Sequence, residues 1–338
     1  MNKYSKNLVD LTTVLLPHWN FTSHTTFNLV SYISRRLMSK EVENKGPKRP
    51  EHIELTSTQT RHPDIFDAEI SHIEELSPTI KGFTLQVISK EWSVPTFMAG
   101  QWVDFFIPGM EKVGGYSMCS EPERLKKQGK LDLAVKYSTW PPAHWLHTQA
   151  KLGSQISFRV GGEFHYPNKI IEALEESSCG HDILLVAGGV GINPLASIFF
   201  SIYEMEKEKK EKQQNNCRVN LLYSARKKED LIFLDKIRDA VQSNKTDEMV
   251  KDSLFNASFF VTKEPNDNDT LFKHKRIDLN ELKESVELFS RRNCESLSKN
   301  RPLFCFLCGP PEMLKEIASM LINDLRLPKE HVIYEMWW

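Results

Sequence analysis

Between Phe66 and Phe164 apolar and polar residues alternate in short runs: Ala68–Ile73, Phe83–Val87, Trp102–Ile107, Leu131–Val135 and Ile156–Val160. A period of two, broken by turns rich in Gly, Pro and Lys, predicts short antiparallel strands closing into a barrel. Pro141-Pro142 opens a short helix with Trp145 and Leu146 inward. From Asp182 the texture changes. Ile183–Ala187, Val219–Tyr223, Ala257–Val261, Leu303–Leu307 and Val332–Tyr334 are near-continuous apolar runs. Between them Leu195–Met205, Asp230–Val241, Leu279–Phe289 (capped by Asp278) and Pro311–Leu325 carry helical spacing. Apolar strands alternating with helices predict a doubly wound α/β domain, its parallel sheet covered on both faces. Ligands of such sheets sit beyond the carboxyl ends of the strands. Glu206–Asn216 and Glu264–Arg276 are almost wholly polar and read as solvated insertions.

A chain of 338 residues accommodates two such domains and a tail. The expected boundaries are a β-barrel over 63–175 and an α/β domain over 176–338, with a polar, proline-punctuated linker over 41–62. Residues 1–40 carry Lys3, Lys6, Arg35, Arg36 and Lys40 against the single acid Asp10. That basic, hydroxyl-rich, acid-poor composition predicts a transit peptide and a mitochondrial destination. Ile183–Ile202 is uncharged over about the length of a membrane span. However, Gly188, Gly189, Gly191, Asn193 and Pro194 divide it into strand, turn and helix, so no span is expected. Lys plus Arg number 44 and Asp plus Glu 45, which argues against a protein that coats nucleic acid. Six scattered cysteines fit a reducing compartment. Cys305 and Cys308 form a C-x-x-C inside an apolar strand, and no second ligand pair stands at zinc spacing, so no metal site is expected.

The sharpest local signal is Val186-Ala187-Gly188-Gly189-Val190-Gly191-Ile192-Asn193-Pro194. It leaves an apolar strand and enters a helix. The glycines permit a tight turn and close ligand approach. Asn193 suits an N-cap and Pro194 the first helical position. Free N–H groups and the positive end of the helix dipole then face an anion, with a pyrophosphate as the natural guest. Cys308-Gly309-Pro310-Pro311-Glu312-Met313 makes a second strand-to-helix loop at the same sheet edge.

With these loops, the motif Gly115-Tyr116-Ser117-Met118-Cys119-Ser120 and the ending Glu335-Met336-Trp337-Trp338, the chain resembles the ferredoxin–NADP reductase-like flavoprotein superfamily from about Phe66 to Trp338. The resemblance implies an FAD-binding barrel followed by an NAD-binding domain. It implies hydride transfer from NAD(P)H to the flavin and on to a separate acceptor. By the same resemblance Tyr116 lies on the flavin ring and Ser117 near its reactive nitrogen. Cys308 lies near the nicotinamide, or is a buried strand-end thiol. Trp337 shields the ring, with Glu335 nearby. The dinucleotide contacts fall on Gly188, Gly189, Val190, Gly191, Ile192, Asn193, Gly309 and Pro310. At the adenosine ribose, Arg226 suits the 2′-phosphate of NADP, whereas Glu229 and Asp230 suit the free hydroxyl of NAD; the resemblance favours NAD. Two positions depart from the superfamily pattern. Gly114 stands where an arginine pairs with flavin phosphate, and Ala143 where a hydroxyl does so. Lys112, Lys136 and His144 are the nearby candidates to compensate. The departures motivate a second reading, an NAD(H)-binding module that has lost its flavin.

Overall fold

The computed structural model describes residues 51–88, 95–175, 180–209, 217–243, 254–265, 269–291 and 301–336. The expected transit peptide and Trp337 lie outside them. The first half runs α1 (His52–Leu55), β1 (Phe66–Ser77), β2 (Ile80–Ile88), β3 (Trp102–Phe106), β4 (Gly114–Ser117), α2 (Pro122–Gln128), β5 (Lys130–Lys136), α3 (Pro141–Thr148) and β6 (Gln155–Gly161). These strands form one antiparallel sheet in the order β4-β3-β6-β1-β2-β5. A bridge between Met118 and Leu133 joins the two edge strands and closes the barrel. Alternate residues fill it, among them Ile70, Leu85, Val103, Phe105, Leu131, Leu133, Phe158 and Val160. Each such side chain contributes about 1.5–3 kcal/mol by leaving water.

The second half runs α4 (Lys169–Glu175), β7 (Asp182–Gly188), α5 (Ile192–Lys209), β8 (Arg218–Ala225), α6 (Leu234–Ser243), β9 (Phe255–Val261), β10 (Phe272–Lys273), α7 (Leu279–Arg291), β11 (Leu303–Gly309), α8 (Pro311–Ser319) and β12 (Val332–Met336). Its strands are all parallel, in the order β10-β9-β8-β7-β11-β12. Ile183 to Ala187 have no solvent exposure. Ile183, Leu185 and Ala187 pack toward α5, whereas Leu184 and Val186 pack toward α7 and α8. The strand is apolar throughout because both its faces are covered. From β7 the chain steps toward β8, and it returns on the far side of β7 as β11. The helices that follow β7 and β11 therefore lie on opposite faces of the sheet, and a crevice opens beyond the ends of these two strands.

Some boundaries differ from the sequence expectation. The stretch expected as a linker is part of the barrel from Glu51 onward: His62 N donates to Val160 O at 2.8 Å and Gly162 N to Thr60 O at 3.0 Å. The helix expected over Asp230–Val241 starts only at Leu234. Asp230 ends a short 3-10 turn, and Phe233 has φ 65°, which no α-helix accommodates. The last predicted helix is α-helical to Ser319 and widens into a π-turn over Met320–Asp324. The Asp278 cap holds, its Oδ1 accepting from Glu281 N at 3.1 Å. No helix among the described residues is long and apolar enough to cross a membrane.

Candidate functional site

The turn after β7 is tighter than the sequence suggests. Gly189–Gly191 form one 3-10 turn, and α5 begins directly at Ile192. Gly189 has φ 55°, a conformation that side chains resist, and open space beside it. Gly191 is required sterically, since any Cβ there would collide with the carbonyl of Cys308. A Cβ at Gly188 would stand 2.6 Å from Met313 Sδ and 2.7 Å from Pro310 Cδ. Gly309 also lies against Gly188: its own Cβ would meet Gly188 Cα at 3.0 Å. The two loops thus interlock through their glycines, backbone against backbone.

Beyond this junction lies a cleft of about 590 Å³. Gly188, Gly189, Val190, Gly191, Gly309 and Pro310 form its floor, with Met313 beside them. Arg226 and Asp230, at the end of β8, line one side; Thr262 and Arg276 approach from beyond β9. Lys136, at the end of β5, reaches it from the barrel. Lys136, Arg226 and Arg276 are exposed cations on the wall. Asp230 Oδ1 accepts from Ser77 Oγ at 3.4 Å, which ties this rim to β1. A glycine turn running into a helix start, no side chain over Gly189, and cations around the rim are the features an anionic dinucleotide needs.

The remaining expected site residues lie elsewhere. Ile192 is in the core, without exposure. Asn193 is not the N-cap but the second residue of α5; its Nδ2 donates to Ala134 O at 2.7 Å, and its Oδ1 is buried without a partner. The 3-10 turn moves the helix start forward and turns Asn193 from the cleft to the barrel. Cys308 is fully buried on the α5 side, and burial pushes its thiol well above the ordinary value, reinforced by Glu335. Cys308 is thus a buried strand-end thiol, one residue before Gly309 at the cleft. Glu335 pairs in register with Cys308. It lines a second cavity of about 320 Å³ with His52, Trp102 and Tyr334. Ser117 is buried opposite Trp102 on β3. Tyr116 packs into the barrel against Phe105, ring centroids 5.6 Å apart, and burial raises its hydroxyl pKa. Sequence reasoning missed Arg276 and Thr262, which come from loops with no motif of their own. Among the described residues no group of three metal-ligating side chains converges.

An FAD diphosphate needs donors at the β4–α3 corner, and the residues there do not fit one. Gly114 offers no cation and Ala143 no hydroxyl. Pro141 and Pro142 begin α3 and bring no N–H groups. The candidate compensators are engaged or distant: the Lys112 ammonium is ion-paired with Glu51, His144 Nδ1 meets Tyr137 OH at 3.5 Å, and Lys136 stands at the dinucleotide cleft. No step is therefore drawn through a flavin.

Residues 185–319 match the model of the oxidoreductase NAD-binding domain. The chain is 36% identical over 295 residues to oxidoreductase NAD-binding domain-containing protein 1 of Danio rerio, covering 86% of this chain and 98% of that protein. It is 33% identical to the Homo sapiens protein of the same name, over 87% of this chain and 86% of the other. The fold is similar to that of a ferredoxin NADP+ reductase from Neisseria gonorrhoeae with bound FAD and NADP, with TM-score 0.58, 19% identity, and coverage of 82% of this chain and 100% of that one. The antiparallel barrel, the parallel sheet and the glycine-built cleft are thus those of the ferredoxin reductase-like fold, and within it the chain belongs to the oxidoreductase NAD-binding domain-containing protein 1 family.

Proposed function

We propose that the chain is an NAD(P)H-dependent oxidoreductase whose dinucleotide sits in the cleft over β7 and β11. The observation that carries this reading is the interlocked pair of glycine corners, Gly188–Gly191 and Gly309–Pro310, opening into one cleft with Arg226, Arg276 and Lys136 on its wall. In this reading the amides at the start of α5 hold the pyrophosphate and Arg226 meets the adenosine end. The two loops wall off the nicotinamide end and limit water there. The dinucleotide, when bound, supplies the hydride; this chain's residues bind and orient it. The electron acceptor is a separate molecule. Binding without hydride transfer is the second reading, favoured by the loss of phosphate ligands at Gly114 and Ala143. Two experiments separate them. Calorimetry with NADH and NADPH tests the cleft: heat of binding and a raised melting temperature are expected, and their absence at about millimolar nucleotide would remove both readings. Oxidation of bound NADH on adding a panel of one- and two-electron acceptors distinguishes the oxidoreductase from the binding module.

We also propose a mitochondrial location, on the composition of residues 1–40. A fluorescent protein fused behind those residues is expected in mitochondria, and diffuse cytosolic fluorescence would end that proposal.

A further inference from the structure

The chain itself closes both faces of β4. On one face Tyr116 lies across Gly114: a Cβ at 114 would stand 2.6 Å from Tyr116 Cε2 and 3.1 Å from Pro142 Cβ. The Tyr116 hydroxyl is buried there without a partner. The missing arginine therefore left no gap, because the tyrosine ring and the first turn of α3 fill its place. On the other face the His52 imidazole stands directly over Gly115, where any Cβ would collide with it. The same ring meets Trp102 edge-on at 4.8 Å.

His52 is held firmly. Asp104, without solvent exposure, accepts from His52 Nε2 at 3.0 Å, from Arg61 Nε at 2.9 Å and from Arg159 Nη2 at 2.8 Å. The Arg61 guanidinium also lies 5.0 Å from the centre of the Trp102 ring. Two of the three side chains on Asp104 thus come from residues 51–62, and backbone hydrogen bonds at His62 and Gly162 fasten that segment to β6. A buried carboxylate that takes two of its three side-chain partners from one segment makes that segment a fixed wall, since its departure would leave the charge short of partners.

We infer that this barrel holds no resident FAD. Tyr116 and Pro142 fill one face of its β4 strand, the His52–Arg61 segment seals the other, and at the diphosphate corner Gly114 and Ala143 bring neither a cation nor a hydroxyl while Lys112 is paired with Glu51. The hydride acceptor of the proposed reaction is then a diffusible or partner-borne molecule. This goes beyond the dinucleotide reading and does not depend on it, because it concerns the barrel alone.

The test uses the full chain, titrated separately with FAD and with NADH, with melting temperature and tryptophan fluorescence as readouts. The expected result is a colourless preparation in which FAD at about 100 μM moves neither readout. A flavin that co-purifies, or FAD binding at micromolar affinity or tighter, overturns the inference. A second protein, carrying His52→Ala and Arg61→Ala, is expected to be cut by protease between residues 51 and 62 at least about tenfold faster, and still to take up no FAD. Micromolar FAD binding by that variant would show a displaceable cover over an intact seat, and would equally overturn it. FAD reads the barrel and NADH reads the cleft, so each proposal fails on its own result.

Discussion

Two glycine clusters of this molecule are closely packed and yet differ: Gly188–Gly191 carry β7 into α5, whereas Gly114-Gly115 open β4, where that strand packs against the start of α3. At the β7–α5 corner the glycines are sterically required and Gly189 looks into open space, so the backbone is available to a ligand. Where β4 packs against α3, Gly114 and Gly115 are also hemmed in, but by Tyr116, Pro142 and His52. A glycine-bearing strand end marks close packing. Whether it marks a ligand depends on what comes close: at the first corner another backbone, with open space over Gly189, and at the second, side chains that fill the space.

The largest effect is expected where the second corner is held shut. Asp104→Asn removes the charge paired with Arg61 and Arg159 and hydrogen-bonded to His52, and breaking a buried ionic cluster costs about 3–5 kcal/mol. Urea unfolding at neutral pH measures it; a loss under about 1 kcal/mol would mean that residues 51–62 are not anchored by this cluster. The pH dependence has a definite sign. Burial opposes the charged form of Asp104, but hydrogen bonds from His52, Arg61 and Arg159 outweigh it and bring the carboxyl from 3.8 down to about 2. A depressed carboxyl pKa stabilises the fold above the unfolded value. That contribution, about 2 kcal/mol, is lost as pH falls from about 4 to about 2. The wild type should lose it in that window and the Asn variant should not. Parallel curves for the two proteins would contradict the assignment.

The first corner is broken by Gly191→Ala. The new methyl group must displace the Cys308 carbonyl, which costs about 1–3 kcal/mol by overpacking. Because the same shift parts the two loops, NADH affinity is expected to fall with stability. Gly189→Ala is the control: it meets no neighbouring atom, and its cost is the left-handed backbone alone, about 1 kcal/mol. Calorimetry and thermal melting on both variants separate the steric demand from the conformational one. Equal losses would show that the interlock does not shape the cleft.

The contrast between the corners also separates what the sequence reveals from what it hides. The strands of the parallel sheet are legible because burial on both faces leaves an uninterrupted apolar run, as in Ile183–Ala187. Gly188–Gly191, Gly309 and Pro310 are legible because a strand-to-helix turn that admits a ligand has few other spellings. β4 is not legible as a strand, since Gly114 and Gly115 have no β-preference. Nor are residues 51–62 legible as part of the barrel. Their order comes from Asp104 and Arg159, far along the chain, and locally they read as polar linker. Asn193 misleads for the same reason: its partner, Ala134 O, belongs to the barrel, so local capping rules assign it to the wrong place.

The smallest expected effect sharpens the first corner by asking which dinucleotide it prefers. Arg226 and Arg276 are exposed on the cleft wall, and Asp230 stands on the same side with its carboxyl held by Ser77. An exposed arginine facing a phosphate gains little net energy, because water already solvates both groups. Arg226→Ala should therefore weaken NADPH by about 1 kcal/mol, near fivefold, and NADH by less. The difference should shrink from about 50 to about 500 mM salt, since exposed charges are screened over a few ångströms at the higher value. If NADPH and NADH weaken equally and without salt dependence, Arg226 serves the shape of the β8 loop and does not read the 2′ position. Asp230→Asn then becomes the informative variant, because a carboxylate that accepts from a free 2′-hydroxyl would cost NADH binding and spare NADPH.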